Sequence, residues 1–260
     1  MKHGGLGLAV APHTHCFYAL DVRRETCAVL LDDPQLAEEL SEQHRLAAVG
    51  ACVAPTIRLD RGAWSPRVAT SRVRNGIGLL VLDGLLTRRV GIDGRFGAEL
   101  LGNGDIVRPW QGDNAQATMP HTGGWVVLQP ARLAVLDRDF VLRLAPYPEV
   151  VAALFARAVR RSRQAALNMA IVHQPRIDVR LHMFFWGLAD RWGTVCPDGV
   201  RVEVPLTHAV LAEVLAATRP TVTKALGELA ERGAVCWDGD AWRLSEPSPA
   251  ELDQVRVVRS

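Results

Sequence analysis

The stretch LTHAVLAEVLAATRPTVTKALGELAERG, residues 206–233, constrains the chain most, because it carries two amphipathic patterns with one short break. Leu211, Val214 and Leu215 fall at i, i+3 and i+4 before the break; Val222, Leu226 and Leu229 fall at i, i+4 and i+7 after it. Both spacings put apolar groups on one face of a helix. Thr207 and Thr218 precede the two patterns, where a hydroxyl can accept a bond from an early backbone N–H. Pro220 then falls in the first turn of the second helix, where a missing N–H loses no intrahelical partner. About three residues connect the helices, short enough for a steep crossing.

The second helix opens its polar face with Arg219, Thr221, Thr223 and Lys224. Its free N–H groups and dipole favour an anion at the same end. A helix-turn-helix that lays its second helix in the DNA major groove has these features. Arg and Lys can donate to guanine, and Thr can hydrogen-bond a base or pack on a thymine methyl. A plain helical hairpin with a solvated polar face would share the periodicity. The segment that follows favours the first reading. GAVCWDGDAWRLS, residues 233–245, reads as strand, turn, strand, with Asp238-Gly239 as a two-residue hairpin signal flanked by Val235, Trp237, Trp242 and Leu244. Gly233 suits a helix end. Two helices and a small hairpin make a winged helix-turn-helix.

Residues 206–229 resemble the DNA-binding segment of the Crp/Fnr family, the cyclic-AMP receptor protein and its relatives. The shared frame is Leu206-Thr207, Leu211-Ala212, Val214-Leu215, then Thr218-Arg219, Thr221-Val222, Lys224 and Leu226. The resemblance implies that Arg219 reads a guanine, that Lys224 is a basic base-reading residue, and that Thr207, His208, Thr218 and Thr221 touch phosphates. Two positions depart from the family pattern. Ala216 stands at the turn, where the family often has Gly. Pro220 stands where it often has Glu, so one base-reading contact is missing and the operator should differ.

At 260 residues the chain is comfortable for two domains. A hydrophobic content of 48% supports real cores, and a net charge of +2 is too small to argue for nucleic acid by itself. The local basicity of residues 219–224 says more than the sum. Of the 30 basic residues only Lys2 and Lys224 are lysines, which reads as genomic composition bias. The cysteines Cys16, Cys27, Cys52, Cys196 and Cys236 are odd in number and dispersed, as expected of reduced thiols in the cytoplasm rather than of a disulfide framework or an iron–sulfur site. No apolar run reaches the roughly 20 residues of a membrane span, and no secretory signal is expected.

The N-terminal half has a different texture. His13, His15 and Cys16 could ligate a metal, but a mobile terminus with incidental histidines is the plainer reading. Residues 32–48 read as one helix starting near Pro34, with Leu36, Leu40 and Leu46 as a sparse apolar face. From about residue 53 to 135, short apolar runs are broken by Gly, Asp, Asn and Pro, which suggests an antiparallel β-roll. That roll resembles the sensor domain of the same family, and LLGNGDIV looks like the Gly-Asp turn before its ligand pocket. A cyclic-nucleotide binder then carries Glu for the ribose and an Arg-Ser/Thr-Ala stretch for the phosphate. Here Gly104-Asp105 is followed by IVRPWQGDNAQATMP: Arg108 comes too early, and Asn114 to Ala117 sit where the basic element should be. Cyclic AMP is therefore not the expected ligand. His121 alone makes no metal site, and neither cofactor nor metal is expected.

Between the halves, residues 146–175 are bounded by prolines and read as one long helix. Val151, Phe155, Ala158, Ser162, Ala165, Met169 and Val172 alternate steps of four and three, a heptad seam with a small middle. Arg157, Arg160, Arg161 and Arg163 fall mostly off the seam and read as solvated. In the family the matching helix pairs with its twin. Residues 176–193 resemble the first helix of the family's DNA-binding domain, with Val179, Met183, Trp186 and Leu188 or Ala189 as the buried stripe and the aromatics Phe184, Phe185 and Trp186 read as core.

The expected architecture is α+β. An N-terminal extension (1–35) leads into an antiparallel β-roll like a cyclic-nucleotide-binding domain (36–145), a dimerisation helix (146–175) and a winged helix-turn-helix (176–260). The expected function is a homodimeric, cytoplasmic transcription regulator reading a palindromic operator in double-stranded DNA. By resemblance its partners include RNA polymerase, with an unidentified small-molecule effector left open. No Gly-x-Ser-x-Gly, phosphate loop or His-Glu-x-x-His speaks for an enzyme. The competing class is a β-roll binding protein or enzyme whose C-terminal helices serve only association.

Overall fold

The structure, a computed structural model, describes residues 25–66, 75–93, 95–111 and 121–245. An antiparallel sheet dominates the N-terminal half. Its strands are β1 (Thr26–Ala28), β2 (Val53–Leu59), β3 (Gly62–Trp64), β4 (Gly78–Ile92), β5 (Arg95–Leu101), β6 (Ile106–Val107) and β7 (Thr122–Leu136). The order is β1-β2-β7-β4-β5, with β3 beside β7 and β6 beside β4. Strands β4 and β7, 15 residues each, pair from Gly78↔Leu136 to Gly91↔Thr122. The register shifts three times between Val81 and Leu86. Such bulges bend a long pair, which is how two long strands curl into a roll. Gly84 sits there with φ +94, and a Cβ on it would come within 2.4 Å of the Pro130 carbonyl. Only glycine lets the backbones approach so closely.

The apolar run of β4 does not alternate with solvent, because both faces are covered. Leu79, Val81 and Leu86 join Leu101, Trp125, Val127 and Leu133 in the interior of the roll. On the outer face, Leu80 and Leu82 pack under Val29, Leu30, Leu36, Phe140 and Leu154. Beyond the bulges, Leu85 and Leu100 are covered instead by the C-terminal domain.

The sequence boundary at residue 35 falls inside this fold. Strand β1 pairs with β2, and α1 (Val29–Asp32) buries Val29 and Leu30 against the outer face. Nor are residues 32–48 one helix. Pro34–Ala37 form a short 3-10 turn, and α2 (Glu42–Ala51) starts afresh where the Ser41 hydroxyl accepts from His44 N. That break buries Leu36 and Leu40 while leaving Leu46 80% exposed.

A short helix, α3 (Arg138–Arg143), leads into α4 (Pro148–Val172). Val150 and Leu154 anchor α4 on the outer core. Two arginines expected to be solvated are held instead. Arg157 donates to Asp33 at 2.9 Å and to Gln35 at 2.9 Å; Arg161 forks onto Glu99 at 2.8 and 2.9 Å and donates to Ile106 O. The reason is helical phase: Val150, Leu154, Arg157 and Arg161 share the stripe that faces the sheet. The seam lies on another face, open to solvent, with Phe155 69% and Met169 66% exposed. Ala158, Ser162 and Ala165 are exposed as well.

The C-terminal domain holds α5 (Ile177–Trp192), β8 (Gly193–Cys196), β9 (Gly199–Val202), α6 (His208–Val214), α7 (Arg219–Glu231), β10 (Val235–Trp237) and β11 (Trp242–Leu244). The small sheet runs β10-β11-β9-β8, so the wing is backed by a second hairpin that the sequence reading lacked. The buried face of α5 holds Phe184, Phe185 and Leu188 as expected but turns away from Val179, Met183 and Trp186. Leu181, Phe184, Phe185 and Leu188 are buried, while Val179, Met183 and Trp186 are half-covered. The Phe185 ring packs at a tilt against Trp242, centres 4.7 Å apart, and the Trp242 indole N–H donates to Val204 O.

Candidate nucleic-acid interface

Helices α6 and α7 meet across a four-residue connection, Leu215 to Thr218. Thr207 caps α6, its hydroxyl accepting from Val210 N at 3.3 Å. Thr218 caps α7, accepting from Thr221 N at 3.4 Å. Pro220 occupies the first turn, as the sequence requires. The turn itself is made by Ala216, whose φ of +49 lies in the left-handed region. A Cβ is disfavoured there, so glycine would suit this point better than alanine. Arg180 pins the turn from α5, donating to Gln174 O at 2.6 Å and to Leu215 O at 3.1 Å. The sequence reading passed over Arg180, although a lone arginine one step from a buried stripe is a signal that something polar nearby needs a donor.

Apolar residues Val222, Ala225, Leu226 and Leu229 turn α7 inward. Arg219, Thr221, Thr223 and Lys224 are left on the exposed face, with Thr207 and Thr218 exposed beside them and His208 half-covered. The seven positions therefore form one surface at the N-terminal end of α7. Hydrogen bonds order part of it. Thr223 donates to Arg219 O at 3.0 Å, so it accepts from His208 Nδ1 at 2.8 Å and braces α6 against α7. The hydroxyls of Thr218 and Thr221 lie 2.8 Å apart. Lys224 is tied only loosely, 3.8 Å from Glu228 and with an 82% exposed side chain. Such a surface offers two cations, two cap hydroxyls and free helix N–H groups to a polyanion.

The wing differs from expectation by one residue. Asp238 N donates to Ala241 O, which puts Gly239 and Asp240 at the corner. Asp238 accepts from Asp240 N and Ala241 N, and these bonds hold its carboxyl at about pKa 2. Trp237 stays 43% exposed on the wing.

The C-terminal domain is also fastened to the roll. Arg191 of α5 donates to Asp105 at 2.5 Å, and Arg89 of β4 meets Glu213 of α6 at 3.0 Å. Burial pushes the Asp105 carboxyl up, opposed by Arg191. Gly102 faces the Trp192 ring so closely that a Cβ would come within 2.6 Å of it. The turn 102–105 is thus a junction between the sheet and α5. Contacts this remote in sequence left no local mark for the sequence reading to find. Asn114 to Ala117, by contrast, lie outside the described residues, as do His13, His15 and Cys16. Among the described residues no helix is long and apolar enough to cross a membrane.

Comparison with known proteins gives this geometry a context. Residues 179–254 match a family described as the Crp-like helix-turn-helix domain. A CRP-like cAMP-activated global transcriptional regulator of Mycobacterium tuberculosis is 30% identical over 128 residues, which are 49% of this chain and 57% of that protein. The chain thus spans little more than half the length of the curated relative. A CooA variant from Carboxydothermus hydrogenoformans superposes with a TM-score of 0.57 at 16% identity, covering 80% of this chain and 88% of the other. FixK2 from Bradyrhizobium japonicum gives 0.53 at 16% identity, covering 77% and 96%. The likeness to these structures is one of fold. The chain thus carries a Crp-like helix-turn-helix domain at residues 179–254, set within the fold of these structures.

Proposed function

We propose that the chain is a transcription regulator that reads a palindromic operator as a homodimer. The observation that carries this is the exposed, capped N-terminal end of α7, with Arg219 and Lys224 outward and Val222, Leu226 and Leu229 inward. Arg219 serves as the guanine reader, Lys224 as the second base-reading cation, and Thr207, His208, Thr218 and Thr221 as phosphate contacts. Thr223 supports them through its bond to His208. A helical pair kept only for association would have no need to leave these groups exposed around an ordered turn.

Dimerisation rests on the seam of α4. Val151, Phe155, Ala158, Ser162, Ala165 and Met169 form a solvent-open stripe on a helix whose other side is already anchored. Apolar residues so placed call for a partner helix, and a two-fold pair doubles the site read. The half-sites then lie about one helical turn, roughly 34 Å, apart. Regulation would tilt the two readers through the Asp105–Arg191 and Arg89–Glu213 fastenings. Cyclic AMP is not the effector in this reading, since Arg108 and Asn114 to Ala117 depart from the nucleotide pattern. RNA polymerase as a partner and the cytoplasm as location follow from the same reading. Retention of duplex DNA, measured against salt, tests the proposal. Binding that weakens steeply as salt rises is expected; retention no better than that of an unrelated acidic protein would refute it.

A further inference from the structure

His208 opens α6, and its Nδ1 lies 2.8 Å from the hydroxyl of Thr223 on α7. A threonine hydroxyl has one proton to give. Thr223 gives it to Arg219 O at 3.0 Å, so the hydroxyl accepts from the ring and Nδ1 carries the ring proton. The opposite tautomer, with the proton on Nε2, would need the Thr223 proton turned toward Nδ1. The bond to Arg219 O would then be lost, so the first tautomer is favoured by one hydrogen bond.

That choice decides what His208 can hold. A neutral imidazole protonated on Nδ1 presents a lone pair at Nε2. Phosphate diester oxygens only accept, so they repel that lone pair. An imidazolium keeps its Nδ1–H on Thr223 and adds an Nε2–H, which donates to a phosphate with charge assistance. The charged groups around α6 leave this role open to DNA. On α7, Arg219 and Lys224 stand beside Thr223, Glu228 is 3.8 Å from Lys224, and Glu231 and Arg232 lie at the far end. Glu213 of α6 is taken by Arg89 of β4 at 3.0 Å. On β5, Arg95 starts the strand and Glu99 is taken by Arg161. From α5, Arg180 reaches Leu215 O and Asp178 is held by Arg176. In the segment before α6, Glu203 lies 3.4 Å from Arg201. These carboxylates, Glu231 apart, have cations of their own. A phosphate is the anion that favours a further positive charge beside Arg219 and Lys224.

We propose that Thr223 is a positioning residue that fixes the His208 proton on Nδ1, so that His208 grips a DNA phosphate as the imidazolium and DNA binding takes up protons. This coupling rests on the phosphate role given to His208 above. The bound state holds protons that the free chain lacks. DNA affinity is therefore highest at the acid end of the histidine range and falls as pH rises through it.

The test uses the full chain and a duplex that it selects from a random-sequence pool. Binding is followed by fluorescence anisotropy from about pH 6 to about pH 8.5 at constant ionic strength. Proton uptake is measured by calorimetry in two buffers of different ionisation enthalpy. The wild-type chain should lose about ten-fold in affinity across the range and take up protons as it binds. His208→Arg, whose charge does not titrate, should hold its affinity at high pH and take up fewer protons. Thr223→Val keeps the side-chain shape and frees the neutral ring to carry its proton on Nε2, so its uptake should fall and its pH profile flatten. A brace that merely held the helices together would instead weaken binding equally at every pH. Thermal melting checks that both variants are folded, and His208→Arg decides the matter alone should Thr223→Val unfold. Uptake by His208→Arg equal to that of the wild type overturns the proposal, as does full wild-type uptake by a folded Thr223→Val. Tight DNA binding by the wild-type chain without proton uptake refutes this coupling and leaves the regulator reading standing; failure to retain any duplex refutes both.

Discussion

Thr207 and Thr218 each cap a helix by accepting from a backbone N–H three residues ahead, whereas Asp105 meets Arg191 across 86 positions and Asp33 meets Arg157 across 124. The starts of α6 and α7 are set by near neighbours in sequence. The roll is organised by strands and helices brought together from afar. A surface of the first kind keeps its chemistry while the rest of the chain changes. A cavity of the second kind changes its chemistry whenever any contributing strand does. That difference fits a chain whose residues 179–254 match the Crp-like helix-turn-helix domain while its sequence at Arg108 and at Asn114 to Ala117 departs from the nucleotide-binding pattern.

Splitting the dimer separates the two regions most sharply. Glu at both Ala158 and Ala165 places like charges along the seam, and sedimentation should then show monomers. DNA affinity should fall with them, while the far-ultraviolet spectrum, which reports both regions, stays unchanged. A monomer before mutation would contradict the seam.

The next largest effect concerns whether the regions unfold together. Phe140, in the outer core of the roll, and Phe185, in the reader, are both fully buried. Truncating either to Ala should cost about 3–5 kcal/mol. Leu85 and Leu100 of the roll share a core with Phe185. Calorimetry of Phe185→Ala should therefore show one lowered transition. A second transition left at the original temperature would mean that the reader melts on its own.

Two carboxylates sharpen the contrast through pH. The Arg176 hydrogen bond lowers the Asp178 pKa, so this aspartate contributes stability above its unfolded value and loses it as pH falls through the lower folded one. Burial raises the Asp105 pKa, so its ionised form carries a penalty at neutral pH that is relieved as pH falls through the raised value. In denaturant melts, the advantage of the wild-type chain over Asp178→Asn should shrink on acidification. Its balance against Asp105→Asn should shift the other way. Parallel pH slopes would contradict the assignment.

The smallest effect lies at the turn between α6 and α7. Ala216→Gly removes a left-handed residue that carries a Cβ, and should stabilise the chain by about 1 kcal/mol without altering DNA affinity. A loss of stability would show that the Cβ makes a contact worth more than the strain.

These contrasts also explain what the amino-acid sequence disclosed. Helix caps, the Pro220 position and the apolar stripe of α7 were legible because each depends on spacing within one or two turns. The solvent-open stripe of Val151, Phe155 and Met169 on α4 could be placed on one face for the same reason. The two arginines on the opposite stripe were misread as solvated, since nothing near Arg157 or Arg161 in sequence announces Asp33 or Glu99. The short strand β1 was absorbed into an extension because three residues carry too little periodicity to stand out. The second hairpin behind the wing was missed because β8 and β9 have only four residues each.

The central claim is that α7 reads bases through Arg219. Its guanidinium fork matches guanine O6 and N7, which a shorter side chain cannot do. The most direct measurement is a binding series over all four bases at each half-site position, for the wild-type chain and for Arg219→Ala. The expected result is a loss of about 1–3 kcal/mol on the preferred operator and relaxed preference at one symmetric base pair. Thr221→Ala should weaken all sequences more evenly. If Arg219→Ala leaves the base preference unchanged, the basic cluster is a solvated face or a phosphate clamp, and the assignment of α7 as the reading helix fails.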